Sequence, residues 1–266
     1  MTNDAQNTVG GAPVAPPTGV GVGGSEVAEP VVADPGVAHS VAGRTVLIAG
    51  ATSAAGVAVA TALSAAGARV IGVGSNAERL AQFAAQVPGA ITRVCDLSDF
   101  SAVTALASEM RNTAAEQAPG DIGDIGGIDG LIHLVGGWRG GGGLAGQSDD
   151  DWDFLHQNVV TTLRNTTRAF NADLLASPAG RLAIVSSVSV DKPAAGGANY
   201  AAAKAAAETW TRAVGQGFAK AGDTAAALVF VVRGLEGLEA ELATNVVGLW
   251  NADAASVNNT RVRLGE

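Results

Sequence analysis

The chain has one cysteine, one tyrosine and three histidines in 266 residues, and only three lysines, Lys192, Lys204 and Lys220. A lone Cys95 excludes an internal disulfide and fits a reducing compartment. With His39, His133 and His156 scattered along the chain, it makes no metal-ligand spacing. No Lys/Arg-rich run interrupts a net charge of −9, so the basic footprint of a nucleic-acid or anionic-membrane binder is missing. No apolar run approaches the about 20 residues that cross a bilayer. The opening residues, Met1 to Asn7, lack both a basic stretch and an apolar stretch, so no secretory signal is expected. The expected location is cytoplasmic.

Residues 1–43 differ from the rest. They are rich in Gly, Pro, Ala and Val, and they carry Asp4, Glu26, Glu29 and Asp34 without any Lys or Arg. Pro13, Pro16, Pro17, Pro30 and Pro35 break any helix. This composition predicts a disordered acidic tail, either regulatory or without a role. From residue 44 to 266 short apolar runs alternate with Ala-rich stretches of helical period. Strands are expected at Thr45–Ala49, Arg69–Val73, Ile91–Cys95, Gly130–Val135, Arg181–Ser186, Ala226–Val232 and Thr260–Leu264. Helices are expected near 54–67, 77–86, 99–117, 150–176, 199–221 and 236–250. Alternating strands and helices with continuous apolar strands imply an α/β fold. It is one domain with a parallel sheet of about seven strands, doubly wound by right-handed crossovers.

The first strand runs into Ala49-Gly50-Ala51-Thr52-Ser53-Ala54-Ala55-Gly56, which opens the first helix. Glycine at such a turn lets backbone approach a phosphate, and the helix start offers free N–H groups and a positive dipole end. Gly50, Thr52, Ser53, Ala54, Ala55 and Gly56 are therefore candidates for binding a dinucleotide. An ordinary structural turn is the other reading. The second strand ends in Ser75-Asn76 with no Asp or Glu to accept from a ribose hydroxyl. That leaves room for a 2′-phosphate, with Ser75, Asn76 and Arg79 as possible partners, and tilts the expected cofactor to NADP over NAD.

Tyr200 and Lys204 stand at i and i+4, so they share a helix face. A phenol titrates near ~10, and a nearby ammonium favours its phenolate. A shift of three units needs about 4 kcal/mol. An exposed i,i+4 pair would look the same. Ser186-Ser187 closes the fifth strand, at the end where parallel sheets bind ligands. Asn158 falls in the long preceding helix, where its amide is suited to hold a water leading to Lys204 or simply faces solvent. Asp96-Leu97 follows the third strand and fits two roles, contact with an adenine amino group or a helix cap.

Taken in order, Ala49-Gly50-x-x-x-Ala54-x-Gly56, Asp96-Leu97, Asn158, Ser187 and Tyr200-x-x-x-Lys204 resemble the short-chain dehydrogenase/reductase family over roughly residues 44–232. The resemblance implies a Rossmann domain that moves a hydride between nicotinamide and a small-molecule carbonyl or alcohol. It implies Tyr200 as general acid or base, and Lys204 tuning it and holding the nicotinamide ribose. Ser187 would polarise the carbonyl and Asn158 would hold a relay water. Leu97, Val135 and Gly136 would line the cofactor site. It also implies a homodimer or homotetramer built on the helices at 150–176 and 199–221.

The sequence departs from the family in three places. Ala49 and Ala54 stand where Thr and Gly are usual, and the Ala54 methyl is expected to crowd a pyrophosphate. His133-Leu134-Val135-Gly136 replaces Asn-Asn-Ala-Gly, with His133 read as a packed structural residue. Arg233-Gly234 replaces Pro-Gly. Arg233 fits a cofactor phosphate, an acidic substrate or solvent. The stretch after Val232 leaves room for only a small lid. Trp138, in the Gly-rich 136–146 loop, fits a contact with a flat substrate or packing on the protein. Besides an active oxidoreductase, the departures keep open a catalytically weakened dinucleotide-binding sensor or scaffold. A plain interaction domain using the acidic tail is a third reading.

Overall fold

Successive side chains of a strand point to opposite faces, and here both faces are covered. The computed structural model describes residues 27–28, 40–112 and 126–265. Its strands are β1 (Val27–Ala28), β2 (Thr45–Ala49), β3 (Arg69–Gly74), β4 (Ile91–Val94), β5 (Gly130–His133), β6 (Arg181–Ser187), β7 (Ala226–Val232) and β8 (Arg261–Arg263). Its helices are α1 (Ala54–Ala65), α2 (Ala77–Gln86), α3 (Phe100–Asn112), α4 (Asp149–Leu155), α5 (Thr162–Ala176), α6 (Ala198–Ala221), α7 (Glu239–Gly248) and α8 (Ala254–Val257).

Every pairing is parallel, in the order β1-β8-β7-β6-β5-β2-β3-β4. The seven strands β2 to β8 are those expected from the sequence. Two residues of the 1–43 segment, Val27–Ala28, add an eighth at the edge by pairing with Arg261 and Val262. The rest of that segment, apart from residues 40–43, lies outside the described residues, as does the 113–117 end of the helix expected at 99–117.

The pleat sorts the core into two layers. Leu47, Ala49, Ile71, Leu131, Leu182 and Val229 face the layer of α3, α5 and α6. Val46, Ile48, Val70, Ile132, Ala183 and Phe230 face the layer of α1 and α7. Each fully buried aliphatic or aromatic side chain contributes about 1.5–3 kcal/mol. Trp250 is wholly buried, packs where a Cβ on Gly130 would stand, and donates to the Ala179 carbonyl at 3.0 Å. Buried Arg181 donates to the carbonyls of Leu249, Gly180, Thr224 and Ala252, a structural role that its place at a strand start did not announce.

Two features aim the sheet at a ligand. Strand order reverses between β2 and β5, which opens a crevice at the C-terminal strand ends. The helix expected at 150–176 is broken by a π-helical turn, His156–Thr161, between α4 and α5. Such turns recur at functional sites, and this one carries Asn158.

Candidate active site

Gly50 adopts φ +83, and a Cβ there would lie 3.0 Å from the Leu134 carbonyl carbon. Only glycine suits that turn. Gly56 is equally constrained, since a Cβ would fall 2.3 Å from the Ala51 carbonyl oxygen. Ser53 caps α1 by accepting from the Gly56 N–H at 3.0 Å. The first turn of α1 has no carboxylate, whereas that of α4 has Asp149, Asp150 and Asp151. The α1 start is therefore open to an anion.

A cavity of about 230 Å³ spreads from this turn across the ends of β2, β3 and β5. Gly50, Thr52, Ser53, Ser75, Asp96, Leu97, Val135, Gly136 and Asn158 line it, as does Arg79, whose Nη2 donates to the Thr52 carbonyl at 3.1 Å. Among the other residues expected here, Gly56 sits in the helix packing and Ala55 in the core, while Ala54 is exposed. None of the three lines the cavity. Asn76 is engaged as the cap of α2, accepting from the Arg79 N–H at 2.9 Å. Asp96 accepts from the Ser98 N–H and hydroxyl, and Asp99 supplies the cap near the start of α3. Cys95 also lines the cavity. Burial, then Asp96 and Asp99, push its thiol up to about 11, which leaves it protonated and unreactive.

A second cavity, about 540 Å³, adjoins the first and shares Ser53, Leu134, Val135 and Gly136 with it. Ser187, Tyr200 and Lys204 line it together with His133, Trp138, Ser189 and Arg233. Ser187 ends β6, and α6 brings Tyr200 and Lys204 to it on one face. Burial raises the Tyr200 phenol, while its hydrogen bond with Ser187 pulls the other way. The net direction follows burial rather than Lys204, whose Nζ lies 5.8 Å from the ring centroid. Lys204 is buried and donates to the Val185 carbonyl at 2.8 Å. Desolvation lowers it to about 8 against the opposing effect of Glu208. His133 is buried beside Thr162 Oγ1, 3.2 Å away. Desolvation, then the Lys204 charge, hold it at about 3, so it is neutral and packed.

Asn158 lines the first cavity, while the other three line the second. Its side-chain amide donates to Phe154 O at 2.8 Å, and its main-chain carbonyl accepts from Thr162 Oγ1 at 2.6 Å. Trp138 is 62% exposed at the rim of the second cavity. Its glycine loop is tied down by Gln147, whose amide donates to the carbonyls of Gly141, Gly143 and Gly196. Sequence reasoning missed Gln147. It also missed Glu208, buried one turn beyond Lys204, which accepts from Ser186 Oγ at 2.6 Å and pairs with Arg261 at 3.1 Å. The i, i+4, i+8 spacing of Tyr200, Lys204 and Glu208 was the available signal.

The groove combines an open helix start, glycine turns where side chains would collide, and a guanidinium at the β3 end. Among the described residues no group of side chains suits a metal ion, and no helix is long and apolar enough to cross a membrane. Residues 44–230 match the short chain dehydrogenase family. A protein of Streptomyces violaceoruber, named ketoacyl reductase 1 of the granaticin polyketide synthase, is 31% identical over 184 residues. The match covers 67% of this chain and 63% of that relative, so the chain spans less than two thirds of the relative's length. A structure from Pseudomonas syringae described as a short chain dehydrogenase superposes with a TM-score of 0.74 at 20% identity, over 87% of this chain and 98% of that one. An NADPH-bound short chain oxidoreductase of Pseudomonas aeruginosa PAO1, described as having an atypical catalytic center, gives 0.69 at 18% identity, over 83% and 94%. The fold is thus a Rossmann-like parallel α/β domain, and the chain belongs to the short-chain dehydrogenase family of oxidoreductases.

Proposed function

We propose that the protein reduces a carbonyl to an alcohol, or runs the reverse oxidation, with NADP as its preferred cofactor. The observation that carries this reading is the convergence of Ser187, Tyr200 and Lys204 on one cavity that shares Ser53, Leu134, Val135 and Gly136 with the groove at the α1 start. The bound nicotinamide supplies or accepts the hydride.

The chain's own groups handle the proton and the developing charge. Tyr200, kept protonated by burial, donates its phenolic proton to the carbonyl oxygen. The Ser187 hydroxyl donates a hydrogen bond to the same oxygen as it gains charge. Lys204, held by Val185, sets a positive charge behind the phenol and would hold the nicotinamide ribose. Asn158, at the π-turn, holds the relay water that returns a proton. Gly50, Thr52 and Ser53 hold the pyrophosphate, and Arg79 with Ser75 meets a 2′-phosphate. Trp138 covers the substrate side. The ketoacyl reductase name of the Streptomyces relative supports a carbonyl substrate.

We place self-association on α5 and α6, where Arg164 lies 5.2 Å from the Trp210 ring centroid and Arg168 lies 3.8 Å from that of Phe100. Tyr200→Phe is the decisive variant. Wild type is expected to oxidise NADPH in the presence of a panel of aldehydes and ketones. The variant is expected to lose at least about 10²-fold in kcat while still binding NADPH. Undiminished turnover in the variant overturns the reading.

A further inference from the structure

A third cavity, about 380 Å³, lies beside the second and shares Ser189 and Arg233 with it. Its other walls are Val188, Asp191, Lys192 and Arg263. Three cations thus converge here in a chain of net charge −9 with 16 Lys and Arg in all. The one carboxylate present is already engaged: Asp191 is held by Arg261 at 2.8 Å and by Arg263 at 3.3 Å. Arg261 is further balanced by the buried Glu208. Lys192 and Arg233 are exposed to the cavity side of this network, and their charges are what the cavity presents.

The backbone places these cations close to the reacting centre. Ser187 is paired in register with Val232, and Arg233 follows Val232 directly. Lys192 lies just beyond Ser187, on the segment leaving β6. A molecule whose carbonyl reaches Ser187 and Tyr200 therefore has a polar passage, over Ser189, toward a positive recess.

We infer that the substrate bears an anionic group beyond its carbonyl, and that Arg233 and Lys192 bind it in this recess. The guanidinium fork of Arg233 matches a carboxylate or phosphate in two bonds, and the Lys192 ammonium adds a point charge. The inference rests on the reductase reading for where the carbonyl sits. It names the substrate class that reading leaves open.

The test uses the full chain with NADPH and two probes, 4-carboxybenzaldehyde and methyl 4-formylbenzoate, which share an aldehyde and ring and differ in charge. Isothermal titration is expected to give the carboxylate about tenfold lower Kd, and turnover a similar preference in kcat/KM. Rising salt narrows the preference, because both cations are exposed. Lys192→Ala combined with Arg233→Ala is expected to abolish it. Lys220→Ala, which removes one positive charge at the far end of α6, keeps it. Equal affinity for the two probes, or no binding of either, overturns the inference, as does a preference that survives in the double variant. A double variant whose NADPH Kd rises by the factor lost for the carboxylate assigns Arg233 to the cofactor and also overturns it. Preferential binding of the carboxylate without turnover leaves the anion site standing and sinks the reductase reading instead.

Discussion

The Lys204 ammonium donates to the Val185 carbonyl at 2.8 Å, one turn of α6 from Glu208, whose carboxylate is taken by Ser186 and Arg261. The lysine is therefore a buried cation held by a neutral acceptor, and desolvation brings it down to about 8. Reductive kcat/KM is expected to hold its plateau below pH about 8 and to fall above it as the ammonium is lost. Lys204→Met should lower kcat/KM by about 10²-fold and remove that limb. Stability moves the other way. Between about 8 and 10.5 the unfolded chain binds more protons than the folded one, so stability rises with pH across that window. A pH–rate profile paired with denaturant unfolding at pH 7 and pH 10 checks both signs.

The phosphate loop gives a second prediction. A Cβ on Gly56 meets the Ala51 carbonyl at 2.3 Å, so Gly56→Ala is expected to destabilise the fold by about 3 kcal/mol. Ala54 is exposed and does not line the cavity, so Ala54→Gly should leave NADPH affinity nearly unchanged. Thermal unfolding and NADPH titration of the two variants separate packing from binding.

Arg79 sets cofactor choice in the proposed reading. It lines the groove at the end of β3 beside Ser75, and the Gly74-Ser75-Asn76 turn itself carries no Asp or Glu. Arg79→Ala is expected to raise the Kd for NADPH about tenfold and to leave that for NADH within about twofold. Fluorescence titration with both nucleotides measures it, and equal losses for the two would count against a 2′-phosphate contact.

Acid should weaken the fold through His133. Its folded value is lowered to about 3 against 6.5 when unfolded, so the unfolded chain binds the extra proton in that window. Its contribution to stability is complete above 6.5 and is lost as pH falls toward 3. His133→Asn removes the titration, so its urea midpoint should change less than that of wild type between pH 7 and pH 4.5.

Much of the fold was legible because its signals are local. Apolar runs bounded by Gly and Ser mark strands, and all seven strands expected from Thr45 onward match those observed to within two residues at either end. Of the four catalytic candidates, the fold places Ser187, Tyr200 and Lys204 on one cavity and Asn158 on the adjoining one. What spacing did not show was which neighbour would claim each polar group. Asn76 turned into a helix cap, and the cap at α3 belongs to Asp99 rather than Asp96. The break at Asn158 depends on i→i+5 bonding that no local propensity signals.

The sequence by itself determined the alternation of strands and helices, the glycine turns and the Tyr200–Lys204 helix face, because each rests on residues a few positions apart. Only the tertiary structure decided the direction of the Tyr200 shift, the Val185 hold on Lys204, the Glu208–Arg261–Asp191 chain and the meeting of Lys192 with Arg233. Those depend on burial and on contacts between segments distant in sequence, and desolvation exists only once the sheet and its helices have closed over the groups concerned.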